Sequence, residues 1–172
     1  YPLRRQRQMC IRDRFLGRGD GYFITRKHNS YQIMLYNYKH FNYLYANGER
    51  FDMTETDRYT VFADSDPVTI ELCLSNIPQG TYKISETYVN RTHGSSYDQW
   101  ISMGGLELTT PYEFDLLKKA SSPGFHQKLM HIASDETLRL NAELELLEIR
   151  LIQITPVICP SAVSYTHLTL PT

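Results

Sequence analysis

Polar and apolar residues alternate along most of this chain with a period of two, which puts every second side chain on one face of a β-strand. In "VTIELCLS" Val68, Ile70, Leu72 and Leu74 point one way and Thr69, Glu71 and Cys73 the other. "GYFITRKHNSYQIMLYNY" gives two β-branched and aromatic runs around the polar turn Lys27-His28-Asn29-Ser30. "NIPQGTYKISETYVN" supplies a Pro-Gln-Gly turn and a strand with Tyr82, Ile84 and Tyr88 as its ordered apolar positions. In "TLRLNAELELLEIRLIQI" Leu138, Leu140, Ala142 and Leu144 form one alternating face, and Leu147, Ile149, Leu151 and Gln153 the face of a second strand.

One stretch switches period. In "TTPYEFDLLKKASSPG" Thr110 is placed to cap a helix, Pro111 takes the first helical position and Glu113 completes a capping box. Lys118 and Lys119 suit the carboxyl-terminal end, Ser122-Pro123-Gly124 stops the helix, and Phe114, Leu116 and Leu117 are expected to face a sheet. Short antiparallel strands with one short helix, at about 111–121, predict a mainly β chain, an antiparallel β-sandwich with a long ordered loop. No internal repeat is visible.

Both ends break the pattern. Residues 4–14 hold five arginines and one acid with no amphipathic period, and residues 163–172 are uncharged and unpatterned. Written as codons, residues 8–13 spell cag-atg-tgt-ata-aga-gac, and residues 163–172 spell gtc-tct-tat-aca-cat-ctg-acg-ctg-ccg-acg. These strings resemble the two strands of a transposase-type sequencing adapter. The expectation is that 1–14 and 163–172 are translated adapter, that 15–158 is the sandwich domain, and that 159–172 is a tail. Without the end residues the formal charge is no longer −1: removing five arginines and Asp13 leaves 13 basic and 18 acidic residues, a net charge of −5. An acidic body argues against nucleic acid, whose phosphates need clustered Lys and Arg. The remaining length, about 148 residues, suffices for one domain with a proper core.

Candidate chemistry is sparse. Cys10, Cys73 and Cys159 have neither metal-site nor disulfide spacing, so a reducing compartment such as the cytoplasm is the simple reading, and no apolar run is long enough to span a bilayer. The densest polar group is "VNRTHGSSYDQWISMGG", with Arg91, His93, Ser95, Ser96, Asp98 and the single tryptophan, Trp100. Its serines lack a nucleophile elbow, so it reads as an ordered loop in which Gly94 turns tightly, Arg91 pairs with Asp98 and Trp100 plugs the core. The run "YQIMLYNYKHFNYLY" offers Tyr36, Tyr38 and Phe41 for sugar stacking or an interface, and Arg91, His93 and Trp100 are further candidates for such contacts. Glu71, Glu86, Glu143, Glu145 and Glu148 sit at strand-exposed or turn positions, and nothing marks two of them as a convergent acid and nucleophile. No residue is assigned a catalytic, metal-binding or cofactor role.

Taken together, "YQIMLYNYKHFN", "VTIELCLSNIPQGTYKISETYVNRTHGSSYDQWISMGG", "LTTPYEFDLLKKASSPG" and "LRLNAELELLEIRLIQI" resemble the carboxyl-terminal region of glycoside hydrolase family 39, the β-xylosidases with the α-L-iduronidases as distant relatives. The sharpest element is Asn90-Arg91-x-His93-Gly94-Ser95 followed by Tyr97, Asp98, Trp100, Met103 and Gly104. The resemblance runs from about Tyr22 to Ile154. It implies an accessory sandwich of a retaining glycosidase whose catalytic glutamates lie on an upstream (β/α)₈ barrel, so no catalytic residue carries over to this chain. The implied partner is that barrel in cis, with xylo-oligosaccharides and a second copy of the sandwich as further candidates, and neither nucleic acid nor membrane. Two other readings are a carbohydrate-binding module and the xylosidase-like part of an AraC-type regulator, which "LYNYKHFN" resembles most.

Overall fold

The computed structural model describes residues 14–49, 54–134 and 136–157. It contains eight strands among these residues: β1 (Arg14–Gly19), β2 (Tyr22–Lys27), β3 (Ser30–Tyr36), β4 (Val68–Leu74), β5 (Gly80–Val89), β6 (Gly124–Ile132), β7 (Leu138–Leu144) and β8 (Ile149–Pro156). Three short helices interrupt them: α1 (Tyr43–Ala46), α2 (Ser96–Ser102) and α3 (Pro111–Ala120), with a 3-10 helix over Glu55–Val61. No helix among the described residues is long and apolar enough to cross a membrane. The ends expected to be adapter lie outside the described residues, save Arg14, which opens β1.

The strands form two antiparallel layers, as the alternation predicted. One sheet has six strands in the order β1-β2-β3-β8-β5-β6, and the other has two, β4-β7. β2 and β3 make the expected hairpin, Lys27 opposite Ser30, with His28 at φ 54 in the turn. The core lies between the layers. Ile33, Leu35, Tyr82, Ile84, Ile152 and Ile154 of the large sheet meet Ile70, Leu72, Leu138, Leu140, Ala142 and Leu144 of the small one, all buried. Val68 is only partly buried, while Ile70, Leu72 and Leu74 point inward as the pattern required.

The face of β8 is opposite to expectation. Ile152 and Ile154 are buried, whereas Ile149 is 51% exposed and Leu151 and Gln153 are half-buried on the outer face. Apolar residues occupy both parities of "EIRLIQI", so alternation alone cannot choose between them. The neighbouring strands decide: Ile33 of β3 pairs with Ile152, and Ile84 of β5 pairs with Ile154. The turn before β8 also resets the parity, with Leu147 at φ 60, and a one-residue change of phase moves every side chain to the other face.

The helices depart further. α3 has the predicted capping box, Thr110 Oγ1 accepting from Glu113 N–H and Glu113 accepting from the Thr110 N–H at 2.8 Å. It does not lie on the sheet. Phe114 is exposed, Leu116 and Leu117 are half-buried, and its packing partner is α2. The segment expected as an ordered loop contains α2 itself, capped by Ser95, whose hydroxyl accepts from Asp98 N–H. The aromatic run after Tyr36 is likewise not a strand, since Asn42 caps the single turn of α1.

Candidate functional site

β3 and β5 both finish at the end of the large sheet where β8 begins, Tyr36 and Val89 flanking Ile149 in register. From that end the chain builds two insertions, residues 37–67 and 90–123, which touch each other. Together they form a cap on one end of the sandwich; five of the six sequence candidates fall in it, and Tyr36 ends β3 beside it.

Asp98 is the centre of the cap. Its Oδ2 accepts from the Tyr59 hydroxyl at 2.7 Å and from the Ser95 hydroxyl at 2.5 Å, and its Oδ1 pairs with Arg91 Nε at 3.3 Å. The expected Arg91–Asp98 pair is therefore present. The Arg91 guanidinium also lies 4.0 Å from the Tyr59 ring centroid, and that of Arg58 lies 4.7 Å from the Tyr97 ring. Burial pushes the Tyr59 hydroxyl up to about 12, reinforced by its bond to Asp98 and by that carboxylate's charge, and opposed by Arg91 and Arg58. Gly94 holds φ +84 against Val89, where a Cβ would come within 3.0 Å of a valine methyl, so the expected tight turn is real and needs glycine.

A ladder of rings leads away from this cluster. Tyr59 stacks with Phe62 at 6.4 Å, Phe62 with Phe41 at 5.4 Å, and Phe41 tilts against Tyr45 at 5.0 Å. Phe41 and Arg91, candidates from separate segments, thus belong to one continuous surface. Tyr38 is exposed with its ring edge-on to His40, and Tyr43 and Leu44 of α1 are exposed as well. Tyr36 is half-buried on the outer face of β3. His93 is exposed with its ring 5.1 Å from Tyr88. Trp100 does not plug the core. It is half-buried in the cap, tilted against Tyr97, and donates its Nε1–H to Leu106 O at 2.8 Å.

An open cleft of about 1180 Å³ runs along the cap, lined by Asp57, Tyr59, Arg91, Asp98, Glu143 and Glu145 among others. Glu143 and Glu145 reach it from the end of β7 and are exposed, with no ion pair to either among the described residues. No group of three His, Cys, Asp or Glu side chains among the described residues could hold a metal ion. The cleft offers hydroxyls, carboxylates and one ring face, without a buried base beside a nucleophile.

Of the two groups that fasten this end to the sandwich, sequence reasoning missed Asn37 and grouped Glu148 with exposed strand and turn positions, whereas it is buried. Asn37 and Glu148 are the two buried polar residues among those described. The Asn37 amide donates to Glu145 O at 3.0 Å and Leu144 O at 3.2 Å, while its backbone exchanges bonds with Glu148 O and Leu147 N–H. Glu148 pairs with Arg150 at 2.5 Å and accepts from Glu145 N–H, and Arg150 also reaches Glu86 at 3.8 Å. The Glu148-x-Arg150 spacing, two residues apart on one strand face, was the available signal. Nothing in the run around Tyr59 marked it.

No family profile and no curated protein matches the chain. Its fold does match solved structures. It is similar to the GH39 enzyme from Xanthomonas axonopodis pv. citri, with TM-score 0.65 and 13% identity over 87% of this chain and 29% of that one. It is similar to a monomeric β-xylosidase from Caulobacter crescentus, with TM-score 0.59 and 17% identity over 82% of this chain and 27% of the other. A bacterial orthologue of human α-L-iduronidase gives TM-score 0.53 and 13% identity over 80% and 22%. The chain therefore spans less than a third of each protein whose fold it shares.

Proposed function

We propose that this chain is the β-sandwich portion of a glycoside hydrolase of the family 39 type, inert by itself and serving to support a catalytic (β/α)₈ barrel supplied by the rest of the parent. One observation carries the reading: the fold covers 87% of this chain yet only 29% of the GH39 enzyme it resembles. The cap agrees with a supporting role, because its polar groups are spent on one another around Asp98. The docking surface for the barrel is the cap end, where Tyr38, Phe41, Tyr43, Leu44 and Ile149 are exposed. The parent reaction is hydrolysis of an O-glycosyl bond, a β-xyloside in this reading, by glutamates outside this chain.

The test is an assay of the purified chain on an aryl β-xyloside. No turnover above buffer is expected. Turnover that survives in a variant carrying Glu143→Gln and Glu145→Gln, or that vanishes with it, would overturn inertness and move the chemistry onto this domain. The carbohydrate-module reading has one observation in its favour, the exposed rings of Tyr38 and Tyr43. Saturable quenching of tyrosine and Trp100 fluorescence by xylo-oligosaccharides would favour it, and no saturation is expected.

A further inference from the structure

Asn47 and Gly48 follow one another at the carboxyl end of α1, and no other asparagine in the chain precedes a glycine. In such a pair the glycine nitrogen can attack the side-chain carbonyl carbon of the asparagine, an approach that a Cβ on the second residue would crowd. Both residues are exposed, and Gly48, at φ +88, has nothing within 4 Å of where a Cβ would stand. Two hydrogen bonds restrain the closed turn. Asn47 Nδ2 donates to Tyr43 O at 2.9 Å, and the Gly48 N–H donates to Tyr45 O at 3.1 Å. Asn47 at φ −88 and ψ 7 also turns the Gly48 nitrogen away from its side chain. All of these restraints belong to a single turn with no buried residue, the kind of segment that opens locally at little cost in free energy. Asp20-Gly21 has the same ring-closing chemistry available in the opposite setting. Gly21 is buried in the turn between β1 and β2, and its carbonyl accepts from Tyr36 N–H at 2.8 Å, so it cannot open without disturbing the sheet.

We propose that Asn47 is a modification site, deamidating spontaneously in the folded chain through a succinimide formed with Gly48, while Asp20-Gly21 is protected by the fold. When the turn opens, the Gly48 nitrogen loses its proton and bonds to Asn47 Cγ. The Cγ–Nδ2 bond breaks, and Nδ2 takes up a proton and leaves as ammonia. Water then adds across the ring at either carbonyl, opening it to aspartate or isoaspartate at position 47. No oxidant, reductant or enzyme takes part. The product has no amide to donate to Tyr43 O and sets a carboxylate beside that carbonyl, so the reaction loosens the turn that permitted it. Tyr43 and Leu44 lie on the same turn and are exposed. A consequence for barrel docking rests on the reading above; the modification itself does not.

Incubation of the full chain at mildly alkaline pH, followed by peptide mapping with mass spectrometry and isoaspartate detection, is the test. The peptide holding Asn47 should exchange its amide for an acid and give both products. Its rate in the folded chain should fall within about tenfold of the rate in the urea-unfolded chain, because local opening of one unburied turn costs little. Isoaspartate at Asp20 should appear only in the unfolded chain. Asn47→Ala should remove the product at position 47, and Gly48→Ala should slow it in folded and unfolded chains alike. Both positions are exposed, and unchanged circular dichroism would confirm that each variant folds. A folded-state rate at Asn47 more than tenfold below the unfolded one, or isoaspartate at Asp20 forming as fast as at Asn47 in the folded chain, would overturn the proposal.

Discussion

Ile33 and Ile84 lie in the sandwich with no exposed surface, whereas α1, α2 and α3 in the cap bury no residue at all. The sandwich is held by apolar side chains interlocked between two layers. The cap is held by hydrogen bonds and ion pairs converging on Asp98, by caps at helix ends, and by rings stacked at the surface. Interactions of the first kind are strong and cooperative, and those of the second are individually small in water. The cap should therefore open locally well below the free energy that unfolds the sandwich.

Core truncation should have the largest effect. Ile33→Ala removes three of the four side-chain carbons from a fully buried site between the layers, and should cost about 3–4 kcal/mol in chemical denaturation. Glu148→Ala should follow at about 3 kcal/mol, because it leaves Arg150 with only the longer Glu86 pair and removes the carboxylate that organises the backbone turn. The companion Glu148→Ala with Arg150→Met should recover part of that loss, as the uncompensated charge is then gone. Recovery of nothing would mean that the turn, not the pair, sets the cost.

Effects in the cap should be smaller and should separate local from global stability. Thr110→Ala removes the α3 cap and should cost about 1 kcal/mol of helix stability, read as faster amide exchange over 111–120 with little change in global unfolding. Asp98→Asn should change global stability by less than about 1 kcal/mol while accelerating exchange in both insertions. The same variant should lower the Tyr59 titration from about 12 part of the way toward 10, since burial, the largest cause, stays in place. Its sign follows from linkage. A folded-state value raised above the unfolded one stabilises the fold below pH 10, and that contribution is lost as pH rises toward about 12. Ultraviolet difference titration against Tyr59→Phe reads it.

The same contrast governs what the sequence revealed. Val68 to Leu74 and Leu138 to Leu144 were legible because a two-residue period in a half-buried strand admits one register. β8 was misread because its apolar residues fill both parities, and only the pairing with Ile33 and Ile84 resolves them. The α3 cap was legible as local chemistry, but its packing partner was not, because nothing in Phe114, Leu116 or Leu117 says that α2 exists. Arg91 and Asp98 were placed together from their spacing, while Tyr59, 39 residues before Asp98, joins them only through the fold. The candidate surface was thus half visible: its members were named, and their continuity through Phe62 was not.

Long-read sequencing of the source DNA across the 5′ side of this coding region tests the central claim most directly. The expected result is an open reading frame that enters the sandwich in frame near Gly19 and encodes, upstream, a (β/α)₈ barrel with two glutamates on its strands, without the codons for residues 4–14. A genomic frame that encodes the arginine-rich arm contiguously with β2, preceded by a stop or by no barrel, would contradict it and leave the sandwich a protein in its own right.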